Sequence, residues 1–181
     1  MQVTGIALST KIIKSCAQKT AMFIELDGWQ AKLRFSACHF IPGHPKCGRL
    51  HGHTYAVSVR IEGEQNGEFI LDFEKVKGAV MGICEELDHR VIIAENDTRL
   101  HIARKGGSVE ILVGKKRYVL PEEDIAFLPV ASVSAEDLCS YFAGRLMEAI
   151  AADNIRCVHV RVDEGIGQGA GCSLRNGRGA A

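Results

Sequence analysis

His51-Gly52-His53-Thr54-Tyr55-Ala56-Val57-Ser58-Val59-Arg60-Ile61 is the stretch on which the fold turns. His51, His53, Tyr55, Val57, Val59 and Ile61 share one parity, while the intervening residues are small or polar. A two-residue period of this kind predicts a long strand with one buried face. Its apolar half needs a core. Its leading half presents two imidazoles on the same face.

Upstream, Phe35-Ser-Ala-Cys-His39-Phe40 reads as a second strand, with Phe35, Ala37 and His39 on one face and Ser36, Cys38 and Phe40 on the other. If the two strands are neighbours, His39 joins His51 and His53 around one ion. Three imidazoles with one tetrahedral position left open is the donor set of a catalytic zinc site, whereas a structural site is closed by four protein ligands. Cys47, four residues before His51, is then a nearby thiol and not the fourth ligand. Cys38 points away from His39 and reads as a small buried thiol. Ile41-Pro-Gly-His-Pro45 breaks regular structure, and His44 within it reads as a solvated loop histidine.

Further out, Met22-Phe-Ile-Glu-Leu26, the turn signal Asp27-Gly28 and the segment from Trp29 to Phe40 predict a tight hairpin of two strands. Glu68 to Leu71 is expected to return as a short strand. Asp72 then caps a helix whose apolar residues Phe73, Val76, Val80, Ile83, Cys84 and Leu87 recur every three or four positions, delivering Asp88-His89 at its end. Ser134-Ala-Glu-Asp137 opens a second amphipathic helix running to about Ala152. Between the helices, Val109 to Val113 and Arg117 to Leu120 flank Gly114-Lys115-Lys116, an added hairpin within residues 105–121. A last strand, Cys157 to Glu164, keeps Val158, Val160, Val162 and Glu164 on one face and turns His159 and Arg161 outward. The class is α+β. An antiparallel sheet has one face to offer, so both helices should cover it.

At 181 residues the chain suits one domain. Lys plus Arg and Asp plus Glu balance at 22 each, which argues against nucleic-acid binding through bulk charge. No apolar run approaches the roughly 18 residues of a membrane span. The odd count of seven scattered cysteines favours reduced thiols and a cytoplasmic protein, and the first twenty residues hold no signal-peptide pattern. Residues 1–21 read as an extension or an upstream start, 22–170 as the domain, and the glycine-rich 171–181 as a flexible tail.

Taken in order, Phe35-Ser-Ala-Cys-His39-Phe40, Cys47-x-x-x-His51-Gly-His53-x-Tyr55, Leu71-Asp-Phe73, Leu87-Asp88-His89 and Val162-Asp-Glu164 resemble the motifs of the 6-pyruvoyltetrahydropterin and 6-carboxytetrahydropterin synthase superfamily. The three-residue gap between Cys47 and His51, with Leu50 before His51, is similar to the carboxy branch. The resemblance implies the tunnelling fold: a four-stranded antiparallel sheet with two helices on one side. It also implies homo-oligomers, trimers or hexamers, whose subunits join edge to edge into a barrel with active sites between them. Barrel closure would remove the two unpaired sheet edges.

The same resemblance implies that His39, His51 and His53 hold Zn²⁺, that Cys47 is the base and that Asp88-His89 is a proton-relay pair. Glu164 would anchor a pterin by accepting hydrogen bonds from its 2-amino group and N3–H. The implied substrate is 7,8-dihydroneopterin triphosphate. It would become 6-carboxy-5,6,7,8-tetrahydropterin with loss of acetaldehyde and triphosphate, on the way to the 7-deazaguanine nucleosides queuosine and archaeosine. The alternatives are a sibling enzyme that makes the pyruvoyl product or cleaves the side chain as an aldolase, and a non-catalytic zinc and pterin binding protein. Lys46, Arg49 and Arg34 are candidates for the phosphates. Glu136, in the first turn of the second helix, is a candidate for the pocket. The family commonly has Thr after the anchoring Glu, where this chain has Gly165-Ile166-Gly167.

Overall fold

A computed structural model describes residues 22–177; the expected extension at 1–21 lies outside the described residues. In chain order the elements are β1 (Met22–Leu26), β2 (Arg34–His39), β3 (His51–Gly63), α1 (Phe73–Leu87) and β4 (Arg90–Ala94). They continue as β5 (His101–Lys105), β6 (Ser108–Val113), β7 (Lys116–Pro121), β8 (Ile125–Leu128), α2 (Ala135–Ile150), β9 (Ile155–Asp163) and β10 (Gly169–Arg175). A seven-stranded sheet runs β10-β9-β3-β2-β4-β8 with β1 also on β3, and β5-β6-β7 make a separate three-stranded sheet.

The α+β class and both helix starts agree with the sequence. Asp72 caps α1 by accepting from the Glu74 N–H at 2.8 Å, and Ser134 caps α2 by accepting from the Asp137 N–H. Val76, Val80, Ile83 and Leu87 of α1 and Leu138, Phe142, Leu146 and Ile150 of α2 form one buried cluster with Tyr55, Val57, Val59 and Ile61 of β3 and Val158, Val160 and Val162 of β9. Both helices therefore cover the same sheet face. Arg145 ties them together with two hydrogen bonds to Glu86, at 2.9 and 2.7 Å. No helix among the described residues is long and apolar enough to cross a membrane.

The sheet is larger than the four antiparallel strands expected, and it is mixed. β2 pairs β4 and β4 pairs β8 in parallel. Val91-Ile-Ile-Ala94 gave no alternation because both its faces are covered: Ile92 packs in the main core and Ile93 in a second cluster with Phe40, Val109, Ile111 and Ile125.

The expected hairpin at Asp27-Gly28 is also corrected. β1 and β2 do not pair with each other; they lie end to end along β3, β1 against its C-terminal half and β2 against its N-terminal half. Residues 27–33 bulge out between them, closed by Ala31 N–H to Asp27 O and Leu33 N–H to Gly28 O. Gly28 is needed there for room, since a Cβ would come within 2.6 Å of the Val57 backbone.

Three smaller corrections follow. Glu68 to Leu71 forms only an isolated bridge, Asn66 with Phe69. The added hairpin is β6–β7, extended to three strands by β5. The tail expected from 171 instead supplies β10 as far as Arg175, an edge strand that needs backbone partners from β9 and little apolar surface.

The small sheet is fixed against the end of β2. Val109 and Ile111 are fully buried beside Phe40, the residue after His39, and Tyr118 of β7 stacks on Phe40 with ring centroids 5.1 Å apart. The loop that follows His39 therefore lies between the two sheets.

Candidate metal centre and active site

Antiparallel register places His39 directly opposite His51, Ala37 opposite His53 and Phe35 opposite Tyr55. A directly opposed pair plus a residue two positions on share one face, so three imidazoles meet at one corner of the sheet. One ligand atom from each of His39, His51 and His53 lies within 4.8 Å of the others, and their ring centroids are 4.6 to 5.2 Å apart. Beneath them, Phe35 stacks on Tyr55 at 4.7 Å and Phe142 on Phe35 at 5.9 Å, a rigid apolar floor.

Backbone carbonyls set the tautomers. His39 Nδ1 lies 2.9 Å from Val133 O and His51 Nδ1 lies 2.7 Å from Arg49 O. A carbonyl only accepts, so both Nδ1 atoms carry the proton, and in the neutral ring it is Nε2 that keeps the lone pair. His39 Nε2 is buried and has no hydrogen-bond partner among the described residues. Burial, and then the neighbouring His51 and His53, pull His39 down to about 4, an effect its bond to Val133 O only partly offsets. Burial and then His51 lower His53 as well. Neutral imidazoles at pH 7 with free Nε2 lone pairs are the form that binds a divalent cation. An orphaned buried nitrogen is costly unless something occupies it. The donor set fits zinc.

Glu164 follows the end of β9 and faces the same corner. Its carboxylate oxygens lie 3.7 Å from His39 Nε2 and 3.9 Å from His53 Nε2. Burial pushes its carboxyl up; His51 opposes this and Glu136 adds to it. Next to it, Asp163 is buried for a structural reason: it accepts from Trp29 Nε1 at 3.1 Å and from Arg161 Nε at 2.8 Å.

Cys47 lines a cavity of about 300 Å³ together with His39, Glu136 and Glu164. Its loop is tightly closed. The Ile41 N–H donates to Cys47 O at 2.7 Å, the Cys47 N–H to His44 Nδ1 at 2.8 Å, and the Gly48 N–H to His44 O at 2.9 Å. His44 is therefore more than a solvated loop residue, because it holds the thiol's backbone. A Cβ on Gly48 would come within 2.5 Å of His44 O, so the loop closes only with glycine there.

Asp88 and His89 form an intact pair, His89 Nδ1 lying 2.8 Å from Asp88 Oδ2. The Ser36 N–H, donating to Asp88 at 2.7 Å, and then His89 hold the Asp88 carboxyl below its usual range. His89 has a left-handed backbone, φ 60, fixed by its N–H bond to Ser36 O at 2.6 Å. Such backbones cost on the order of 1–3 kcal/mol and cluster at functional sites. His89 opens on a different cavity, about 620 Å³, which Cys38, His53, Arg90 and Asp124 also line. Within one chain, then, His39, His51, His53, Cys47 and Glu164 are gathered together, while His89 and Cys47 open on separate cavities that border different members of the triad.

Sequence reasoning missed two groups. Val133 O is a backbone atom with no side-chain signature. Tyr55 is fully buried, and its hydroxyl has no hydrogen-bond partner among the described residues. Burial, then Glu164 and Cys38, make that hydroxyl harder to ionise, which keeps it a hydrogen-bond donor.

Comparison with known proteins follows the same lines. The family model for 6-pyruvoyl tetrahydropterin synthase matches residues 29–175. A Methanocaldococcus jannaschii protein, provisionally named 6-carboxy-5,6,7,8-tetrahydropterin synthase, is 40% identical over 154 residues, covering 82% of this chain and 94% of its own. The dihydroneopterin monophosphate aldolase of Pyrococcus furiosus is 45% identical over 56 residues, 30% of this chain and 49% of that protein. The crystal structure of Plasmodium vivax 6-pyruvoyl tetrahydropterin synthase superposes with a TM-score of 0.80 at 25% identity, covering 87% of this chain and 99% of that one. The chain belongs to the 6-pyruvoyl tetrahydropterin synthase family.

Proposed function

We propose that this chain is a zinc-dependent lyase that converts 7,8-dihydroneopterin triphosphate and one water to 6-carboxy-5,6,7,8-tetrahydropterin, releasing acetaldehyde and triphosphate for 7-deazaguanine biosynthesis. The observation that carries the reading is the convergence of three imidazoles, with the Nε2 of His39 buried and orphaned, in a member of this family that shares 40% identity with the M. jannaschii relative. Its family makes it a 6-carboxytetrahydropterin synthase-like lyase.

His39, His51 and His53 would hold the zinc, which when bound would supply Lewis acidity toward the oxygens of the substrate side chain. Cys47, on the rim of the cavity that contains His39, takes the proton from the side-chain carbon. Asp88 orients His89, which returns or removes a proton on the opposite side of the reacting carbons. Glu164 accepts from the pterin 2-amino group and N3–H, and partial burial strengthens such charge-assisted bonds. That role requires the carboxylate to turn away from the imidazoles as the ring enters, because its oxygens now stand within 3.9 Å of two of them.

Cys47 and His89 open on different cavities of one chain, which supports a site completed by a second copy. We propose that β10 and β8, the terminal strands of the sheet, join edge to edge in a trimer or hexamer. The similarity to dihydroneopterin monophosphate aldolase supports a second reading, side-chain cleavage to glycolaldehyde. Product analysis with 7,8-dihydroneopterin triphosphate separates the two. Acetaldehyde with a carboxypterin is expected; a pyruvoyl product, glycolaldehyde or no product would reject the assignment.

A further inference from the structure

Most arginines on this surface are neutralised: Arg99 by Asp97, Arg117 by Glu110 and Arg145 by Glu86. Four cations on the Cys47 loop and on the turn that reaches it are not. Lys46, Arg49, Lys115 and Lys116 are exposed, and none has a carboxylate partner among the described residues. Lys46 and Arg49 bracket Cys47-Gly48 in sequence. Lys115 and Lys116 come from far along the chain, at the β6–β7 turn, yet the Lys116 ammonium donates to the Gly48 carbonyl. Lys116 is thus brought to the peptide that Lys46 and Arg49 bracket in sequence, with Lys115 adjoining it on the same turn.

Packing fixes this approach. Lys116 and Tyr118 share a face of β7, and Tyr118 stacks on Phe40. The loop itself is clamped by Arg99, which donates to Pro42 O at 2.6 Å while Asp97 accepts from its Nε at 2.8 Å and its terminal nitrogen at 2.7 Å. A lysine held by a carbonyl keeps its whole charge for an anion, unlike one paired with a carboxylate. Four uncompensated cations raise the local potential in a chain whose formal charge is zero.

We propose that the β6–β7 turn, through Lys115 and Lys116, joins Lys46 and Arg49 in a subsite for the polyphosphate tail of the substrate. This assigns a function to the small sheet: it brings two charges to a catalytic loop that has only two of its own. The proposal rests on the pterin triphosphate reading above. It places the tail outside the cavity, running from the imidazole corner past Cys47 and across Gly48. It also predicts discrimination by phosphate number, because a single phosphate spans fewer of the four cations than three do.

The test is titration of the zinc-loaded full chain with inorganic tripolyphosphate, with zinc content measured after each titration. Lys115→Gln/Lys116→Gln and Lys46→Gln/Arg49→Gln should each weaken binding by about tenfold, and binding should fall as salt rises. Lys105→Gln, at the opposite turn of the same small sheet, should bind as wild type. Lys115→Glu, an exposed charge reversal, should weaken binding further with an unchanged melting temperature. Unaltered tripolyphosphate affinity in Lys115→Gln/Lys116→Gln would overturn the subsite. The probe contains no pterin, so the two readings fail separately. Binding through these cations without pterin turnover would reject the reaction and keep the subsite. Turnover with unaltered KM and tripolyphosphate binding in both double variants would reject the subsite and keep the reaction.

Discussion

His39 donates through Nδ1 to the carbonyl of Val133 at 2.9 Å, and this one bond links the metal corner of the sheet to the approach of α2. It fixes the ring plane and leaves Nε2 available to a cation, as backbone carbonyls do for metal-bound histidines generally. A metal bound there is expected to depend on all three imidazoles and not on the thiol. His39→Ala and His51→Ala should each lose stoichiometric zinc and turnover. Cys47→Ala should keep its zinc and lose turnover by at least about a hundredfold, the scale of a missing acid–base group. Metal analysis of the purified variants beside steady-state rates decides this.

Acid should destabilise the metal-free protein. The folded state holds His39 at about 4 against an ordinary value of 6.5, so between these values the unfolded chain binds the extra proton. The stabilising contribution is complete above pH 6.5 and is lost as pH falls toward 4, up to on the order of 3 kcal/mol at 1.36 kcal/mol per unit. His53 acts in the same direction, and Glu164, shifted upward, partly offsets both. Urea unfolding of chelator-treated protein from pH 7.5 to 4.5 should show this loss, and His39→Gln should flatten it.

Gly48→Ala should damage the Cys47 loop without emptying the metal corner. The new methyl would sit 2.5 Å from His44 O and 3.3 Å from Ile41 O, both backbone atoms that cannot rotate away. Overpacking of this kind costs about 1–3 kcal/mol. The expected outcome is retained zinc, a lower melting temperature and a kcat reduced more than KM is changed.

Much of this was legible in the amino-acid string, and the exceptions share a cause. Parity alone brings His39, His51 and His53 together, because a strand's side chains alternate whatever the rest of the fold does, whereas Glu164 is singled out by the resemblance of Val162-Asp-Glu164 to a family motif. β4 was invisible because Ile92 and Ile93 are buried on opposite faces, which erases the alternation that marks a strand. β10 was read as tail because an edge strand is held by backbone bonds, which Gly169 and Gly171 supply as well as any residue. Asp27-Gly28 imitated a hairpin turn, while the actual demand on Gly28 is clearance from Val57, a contact about thirty positions away that no local rule anticipates. The Lys116 bond to Gly48 is hidden for the same reason.

Mixing inactive subunits should restore activity. If Cys47 and His89 serve one site from different copies, unfolding and refolding Cys47→Ala with His89→Ala in equal amounts should leave about a quarter of the sites with both groups intact. If both groups come from one chain, the mixture should be as inactive as its components.

X-ray absorption at the zinc edge of the intact, metal-loaded protein tests the central claim most directly. Three imidazole nitrogens at about 2.0–2.1 Å with one light oxygen are predicted, the spectrum being unchanged in Cys47→Ala. A sulfur scatterer at about 2.3 Å, or fewer than three imidazoles, would contradict an open catalytic metal held by His39, His51 and His53.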